Sequence, residues 1–543
     1  MNRFLFILIL PILLFSQTRI LYPFDWSGQV GVMTIDGISS WNQDWTSGML
    51  LFDQTISTYP ERYGTSYTAD YLLLSPWIKD TTISIPDTST TMSQINYSQG
   101  DFGLNAFEVN GDFINEKRQI SLHGFKRSYL GSYGQYILAD GAQKPIQQSY
   151  RIDYNSSTED IDVNISAGKF ITEMGIYDSL AIRKTFLDNL TSAGIQFRKT
   201  IGRTNIQISG MTNSRTFTIN SSYFPITGTH YFNRNHFALD IELPSGNSLL
   251  ARSNQRILSK KNDDIREQDW QTIGVQFVWN KIVIDGGGIY SPDAGLEPMI
   301  KLAYLSLGKH WTNQIDLEST WKPIPILLDK PSLENRFQRF NTGKYAVHYQ
   351  NNKTSLGVFI NGLLVDHYCD GLSVIDTTVK LNESESTLSF GMNGNASLLG
   401  LGLGVDYLHN VKSNTLNLGF KDRILFTTSG NIPLFGGNLL AKFVAQLEGV
   451  FGRDPFWRMD PFTGIPFMAS TESISIQDYW VGHISIEAKV STFTFIWSVN
   501  NVMNATENLW SSTSIIIPVI TTNEFLPPMN QLIQFQVIWD FID

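Results

Sequence analysis

The sequence predicts an all-β fold: a transmembrane antiparallel β-barrel of about 22 strands (range roughly 16 to 22), even-numbered as such barrels are. Three observations carry this. Apolar residues recur with a period of two along almost the whole chain, the alternating runs are long, and short and long connections take turns between them.

Period two puts one set of side chains on each face of a strand. Phe237, Leu239, Ile241 and Leu243 alternate with Ala238, Asp240 and Glu242. Ile315 and Leu317 lead to Trp321, with Gln314, Asp316, Glu318 and Thr320 between them. Leu399, Leu401, Leu403, Val405 and Tyr407 alternate with glycines and Asp406. Ile484, Ile486, Ala488 and Val490 alternate with His483, Ser485, Glu487 and Lys489. Ile533, Phe535, Val537, Trp539 and Phe541 close the chain, with Gln534, Gln536 and Asp540 between.

Most runs are about eight to eleven residues, longer than soluble strands and near the length that crosses a bilayer at a tilt. Trp279, Tyr290, Trp321, Tyr349, Trp497 and Trp539 stand at or near run ends, where interfacial girdles belong.

Short turns are expected at Asn115-Glu116-Lys117, Ser156-Ser157-Thr158, Thr200-Ile201-Gly202, Pro244-Ser245-Gly246, Gln350-Asn351-Asn352 and near Val490-Ser491. Longer connections fall at about 128–148, 169–191, 213–235, 322–342, 363–384, 450–478 and 502–530. Short turns on the periplasmic side and long loops outside are the layout of an outer-membrane barrel. Two places break the rhythm: a short connection at Asn410 to Ser413 where a long one is due, and a long stretch at 422–436 where a turn is due. A propeller or β-helix should show a short repeat with recurring motif residues, and none is visible. A string of β-sandwiches would have shorter strands and no loop asymmetry.

Domain organisation follows. Residues 1–16 read as a secretory signal: Asn2 and Arg3, an apolar stretch from Phe4 to Phe15, and Ser16 before the cut. Residues 17–90 form an N-terminal segment rich in Trp, Tyr and Gly, either periplasmic, inserted in the lumen, or a further strand pair. The barrel itself spans 91–543, in the outer membrane.

Composition narrows the function. The chain has 543 residues, 40 Lys+Arg against 50 Asp+Glu, and 17% charged residues, so no basic footprint for nucleic acid exists. High apolar content rules out disorder. One cysteine, Cys369, excludes a disulfide framework or a Cys-rich zinc module. There is no GxSxG, HExxH or Walker sequence. His123, His348 and His483 fall on the inward face, where an isolated imidazole is more often a polar wall residue than a catalytic base. Asp366-His367-Tyr368-Cys369-Asp370 holds ligand-type residues without the rest of a zinc set, so no metal and no cofactor is expected. The tract Asp454-Pro455-Phe456-Trp457, answered by Asp460-Pro461-Phe462, reads first as a compact loop, and otherwise as a constriction or partner contact. Gly286-Gly287-Gly288 marks a bend or a close approach of backbone rather than a phosphate loop.

The parity assigns the lumen wall. Its acids are Glu108, Asp112, Asp153, Asp162, Asp240, Glu242, Asp316, Glu318, Asp406, Glu487 and Asp540. Its bases are Arg127, Arg151, Arg198, Arg203, Lys421 and Lys489. Acids outnumber bases, which implies a mild cation preference if charge rings set selectivity; the plainer reading is that they solvate a water-filled interior.

Phe495-Ile496-Trp497-Ser498-Val499-Asn500-Asn501-Val502-Met503-Asn504, then Pro527-Pro528, then the terminal Phe535-Gln536-Val537-Ile538-Trp539-Asp540-Phe541 resemble the closing strands of Bacteroidetes-type outer-membrane barrels. These include TonB-dependent receptors and plug-less porins. Met529-Asn530-Gln531 stands where those families carry Gly-Arg. Ile95 to Gly100, Phe107-Glu108-Val109 and the stretch from Arg127 to Tyr133 look like the opening of the porins. The resemblance implies passive passage of small solutes through a polar lumen, without a plug domain and without catalysis. It also implies that Phe535, Val537, Trp539 and Phe541 carry the signal read by the barrel-insertion machinery. Partners expected are therefore outer-membrane lipid, that machinery and small-molecule solutes, with no nucleic acid. The alternative is a closed surface scaffold that binds a partner through loops 450–478 and 502–530; a barrel-borne hydrolase ranks third.

Overall fold

A computed structural model describes strands at 19–23, 31–35 and 38–39, then residues 89–542. Within that range it omits 130–145, 176–184, 220–227, 261–262, most of 325–335, 369–383, 418, 436–438, 460–465, 470, 474–475, 503–519 and 521–528. The signal-like residues 1–16 and Cys369 lie outside the described residues.

Three short strands open the chain: β1 (Arg19–Pro23), β2 (Gly31–Ile35) and β3 (Ile38–Ser39), which pair as a separate antiparallel sheet. The next eleven are β4 (Thr90–Gly100), β5 (Asn105–Asn115), β6 (Arg118–Ser128), β7 (Ile146–Ser157), β8 (Ile161–Gly175), β9 (Thr185–Ile201), β10 (Thr204–Ile219), β11 (Gly228–Glu242), β12 (Ser248–Lys260), β13 (Asp263–Trp279) and β14 (Ile282–Ser291). There follow β15 (Gly295–Leu307), β16 (Trp311–Pro323), β17 (Phe337–Gln350), β18 (Thr354–Asp366), β19 (Ser384–Leu398), β20 (Leu401–Asn410), β21 (Asp422–Leu434) and β22 (Leu439–Phe451). A loop hairpin, β23 (Trp457–Met459) with β24 (Pro466–Met468), precedes β25 (Tyr479–Val490), β26 (Phe493–Asn500) and β27 (Leu532–Ile542).

Twenty-two of these strands form one closed antiparallel ring, each paired to its sequence neighbour, with β27 returning to β4. Closure joins Val537 to Tyr97 and Trp539 to Ile95. The small β1–β3 sheet is not among the ring's strands. The ring therefore has the strand number and the handed-off loop layout that the alternation implies. No helix among the described residues is long and apolar enough to cross a membrane, which says nothing of a strand-built crossing.

One face of the ring is a belt of exposed apolar side chains: Phe107, Ile195, Phe237, Ile273, Leu317, Val358, Phe426, Ile486 and Phe535 among them. A sheet bearing that belt is stable only where lipid covers it, and closure leaves no unpaired backbone edge to hydrocarbon. The fold is thus that of a membrane-spanning β-barrel. Around the seam Trp539 stacks on Phe493 at 4.9 Å and meets Phe541 in a tilted contact at 3.9 Å, on the outward face.

Strand lengths differ from expectation in an instructive way. The alternation leaves 169–191 and 213–235 as loops, yet β9 runs 17 residues and β10 runs 16, so the gaps shrink to 176–184 and 220–227. The reason is visible on the outward face, where Thr212, Asn235, Gln255 and Glu267 form an exposed hydrogen-bonded ladder across four strands. Strands that project past lipid into water keep no apolar outward row, so the period-two signal fades while the ladder continues.

The two apparent breaks in rhythm also resolve. The outer connection lies between β20 and β21, which starts at Asp422, so residues 422–434 are strand rather than connection. Residues 414–417 read as an extension of strand, but Asn414 and Asn417 side chains accept backbone N–H bonds from Leu416 and Gly419 and curl it into a compact loop.

Among the described residues, left-handed backbone at a non-glycine residue occurs at Phe102, Asn280, His367, Leu399, Phe435, Ser491 and Asn501. Leu399 and Phe435 sit at φ 52° and 51°, in the left-handed region that costs a side chain with a Cβ about 1–2 kcal/mol.

Candidate functional site

The face opposite the apolar belt lines the barrel interior, and there polar side chains bond across strands. Glu108 is buried and accepts from Asn96 at 3.3 Å and Asn110 at 3.0 Å. His123 bonds Asn110 at 2.5 Å and lies 3.8 Å from Glu108. Asp112 accepts from Gln119 at 2.9 Å and from Ser121. Arg151 pairs with Asp153 at 2.7 Å, two residues on along the same strand. Asp162 accepts from Ser157 at 2.6 Å, and Glu242 from Asn205 at 2.9 Å. Asp240 lies 4.0 Å from Arg252, Asp316 accepts from Gln314 at 2.5 Å, and Asp540 accepts from Gln94 at 2.8 Å.

Other expected wall residues take simpler positions. Glu318, Asp406 and Glu487 are half-buried on their strands, while Arg198 and Lys489 are exposed toward the inner end. Arg203 lies between β9 and β10, in the turn rather than in a strand. Phe535, Val537, Trp539 and Phe541 stand on the outward face of β27. His483 bonds Asn500 at 3.1 Å, so this imidazole, like that of His123, is held by an amide.

Sequence reasoning missed a basic sector. Arg215, Arg234 and Arg256 on β10, β11 and β12 are fully buried, and the register sets Arg234 directly opposite Arg256. Arg215 stacks over Phe217 at 4.8 Å and Arg256 over Trp270 at 4.6 Å, so aromatic faces share in holding the guanidiniums. Arg215 and Arg234 fell in the stretch assigned to a loop; strict alternation of Met211, Asn213, Arg215 and Phe217 was the signal available.

The outer mouth is narrowed by connections folded inward. Ile324 and Ile326, just after β16, are completely buried, and Gln268 from the interior of β13 donates to the Ile324 carbonyl at 3.1 Å. Gln268 also donates to Asp329 at 2.9 Å. Arg336 clamps this loop: it bonds Asp329, reaches Asp293 at 2.6 Å and donates to the Glu267 carbonyl at 2.9 Å. Bonding to Asp329 raises the Arg336 pKa against the opposing effect of burial, so the clamp stays charged. Loop 411–421 folds in similarly. Leu416 packs with Phe340, Leu363, Val365 and Tyr368, and Asn417 bonds Thr387 at 3.1 Å.

The Asp454-Pro455-Phe456-Trp457 tract caps that second loop. Asp454 accepts from Ser413 at 3.0 Å, Trp457 is buried against Gly419, and Arg458 donates to the carbonyls of Pro455 and Trp457. It is a compact loop packed on its neighbour; Asp460, Pro461 and Phe462 lie outside the described residues. At the opposite, inner end a cavity of about 340 Å³ opens between Ser355, Asn395, Ser397, Thr427 and Ser429, over Gly402 and Gly404. It is lined by hydroxyls and amides. Among the described residues no group of three or more His, Cys, Asp and Glu is placed to hold a metal ion.

The clamp supplies a prediction. Arg336→Ala leaves the carboxylate of Asp329, 1% exposed, without its cation, and breaking a buried pair costs about 3–5 kcal/mol. The loop should come loose while the ring stays closed: single-channel recordings should show larger and noisier conductance, and heat-modifiability on gels should be retained.

The fold defined by these strands, a closed ring of 22 antiparallel strands, is shared by several solved barrels. The FrpB iron transporter from Neisseria meningitidis (F5-1 variant) superposes with a TM-score of 0.64 at 9% identity, covering 97% of this chain and 96% of that one. The siderophore receptor PirA from Acinetobacter baumannii superposes with a TM-score of 0.63 at 10% identity, covering 98% and 96%. A mutant ferric enterobactin receptor, PfeA, from Pseudomonas aeruginosa gives 0.60 at 9% identity, covering 98% and 96%. At such identities the likeness is one of fold. No protein-family model and no curated protein sequence matches the chain.

Proposed function

We propose that the chain is an outer-membrane channel that passes small hydrophilic solutes passively through a polar lumen narrowed by loops at its outer mouth. The observation that carries this reading is the inner wall itself: carboxylates, amides and hydroxyls bonded across successive strands of a closed ring, such as Gln94–Asp540 and Asn205–Glu242. Such a wall keeps water and solutes in the lumen at low cost. No step of the reading requires bond chemistry. Steady open steps in planar bilayers support it, and electrically silent protein that is correctly inserted removes it.

A second reading has one observation behind it. The solved barrels of similar fold are described as siderophore receptors and an iron transporter, so a gated, energised uptake of a metal complex is the rival. Under it, the purified protein conducts nothing until a periplasmic partner acts, and it binds a ferric complex; under the first, conductance needs neither.

Charge selectivity is a sharper test. Glu242 and Asp240 stand at half-buried positions near the inner end, whereas Arg215, Arg234 and Arg256 are fully buried. Carboxylates that face water set permeation more than guanidiniums packed on rings. The zero-current potential across a salt gradient should therefore show mild cation preference, reduced toward zero by Asp240→Asn with Glu242→Gln. An anion preference in the unmodified protein would overturn the proposed role of these residues.

A further inference from the structure

The inner turns of the barrel are not alike. Most carry polar or charged tips: Glu116-Lys117, Glu159-Asp160, Gly202-Arg203, Ser245-Gly246, Asn280-Lys281, Lys309-His310, Asn352-Lys353 and Ser491-Thr492. Two adjacent hairpins depart from this. Leu399, between β19 and β20, is 96% exposed, and Phe435, after β21, is 79% exposed. Both hold φ values, 52° and 51°, that Asn or Gly would adopt with less strain. An apolar tip in water and a strained backbone are each unfavourable, and here they coincide twice on neighbouring turns. Strain of this kind persists where something else stabilises it.

Exposed apolar side chains of the belt lead to both tips. Leu398 and Leu401 flank the first turn at 58% and 40% exposure, and Ile432 leads to the second at 47%. Continuity with the lipid-covered face identifies what covers them.

We propose that Leu399 and Phe435 are lipid anchors, immersed in the interfacial region of the inner leaflet. This sector of the rim, β19 to β22, then sits deeper in the bilayer than the remaining turns, which end in water. At the acyl boundary such apolar side chains gain from shallow burial, as amphipathic elements do, whereas the left-handed turn residues Asn280 and Ser491 are polar. The inference depends on the barrel spanning a bilayer and is independent of what the lumen passes.

The test places a probe at each tip. Cys369 is the chain's single cysteine, so Cys369→Ser supplies a background for Leu399→Cys, Phe435→Cys and, as the water-exposed reference, Ser245→Cys. Each is labelled with an environment-sensitive fluorophore and inserted into phosphatidylcholine vesicles. Lipids bearing a nitroxide near the carbonyl region should quench positions 399 and 435 about twofold more than position 245, with the reverse order for aqueous iodide. Iodide quenching at 399 and 435 equal to that at 245 overturns the proposal, because the tips would then be in water. Shielding from both quenchers also overturns it, because protein, a second copy or another chain, would cover them. Should a labelled variant fail to fold, hydrogen exchange of the unmodified protein in lipid nanodiscs decides. Amides at 399–401 and 435 should exchange more slowly than those at 245–247, and equal rates would refute the anchors.

Discussion

Replacing Gly287 by alanine should prevent this barrel from closing properly. A Cβ at Gly287 would lie 2.1 Å from the carbonyl oxygen of Ile273 and 2.8 Å from the Cα of Gly274, its cross-strand partner. Both obstacles are backbone, so no rotamer change relieves them, and β13 and β14 would have to part. Forced overpacking costs about 1–3 kcal/mol when side chains can adjust, and here the loss should reach about 3 kcal/mol or more because they cannot. The measurement is the fraction of heat-modifiable protein recovered in the outer membrane, together with the unfolding midpoint in detergent. Gly391→Ala is the matched control. Its Cβ would meet the ring of Phe359 at 2.0 Å, but that ring is the far end of a side chain and can swing aside. The control should assemble almost normally. If both variants behave alike, close backbone approach is not what Gly287 serves.

The second large effect should come from Glu448→Ala. Glu448 on β22 accepts from Nε of Arg423 on β21, with side chains 14% and 7% exposed, and the pair faces the interior. Removing the carboxylate leaves a largely buried guanidinium short of its anion, which costs about 3–5 kcal/mol. Glu448→Gln keeps an acceptor and the volume, so it should lose clearly less. A double variant with Arg423→Met should recover much of the loss, because replacing a buried pair by apolar groups is often neutral or better. Unfolding midpoints of the four proteins form a double-mutant cycle, and strict additivity would show that the two side chains do not depend on each other.

How much of this was legible beforehand depended on where lipid lies. Phe237 to Leu243, Ile484 to Val490 and Ile533 to Phe541 each face hydrocarbon on one side, so their alternation is enforced residue by residue and reads directly as strand. Arg215 and Arg234 lay within a stretch assigned to a loop, because the outward neighbours there, Thr212, Ser214, Asn233 and Asn235, face water and carry no apolar signal. The turn position of Arg203 shows the complementary limit: near a strand end the parity continues on paper after the strand has stopped. Loop 411–421 was misassigned because Thr415 to Asn417 alternate like a strand, while the Asn side chains that curl the segment act through hydrogen bonds no periodicity reports.

The sequence by itself determined the class of fold, through its alternating runs and their lengths. These are local properties, since pleating alone sends successive residues to opposite sides. The tertiary structure decided the rest: closure of β27 on β4, where Gln94 meets Asp540 across 446 residues of chain; the docking of Ile324, Ile326, Asp329 and Leu416 inside the mouth; and the meeting of Arg234 with Arg256. Those contacts join residues far apart in the chain, and only the ring, once closed, brings them within reach of one another.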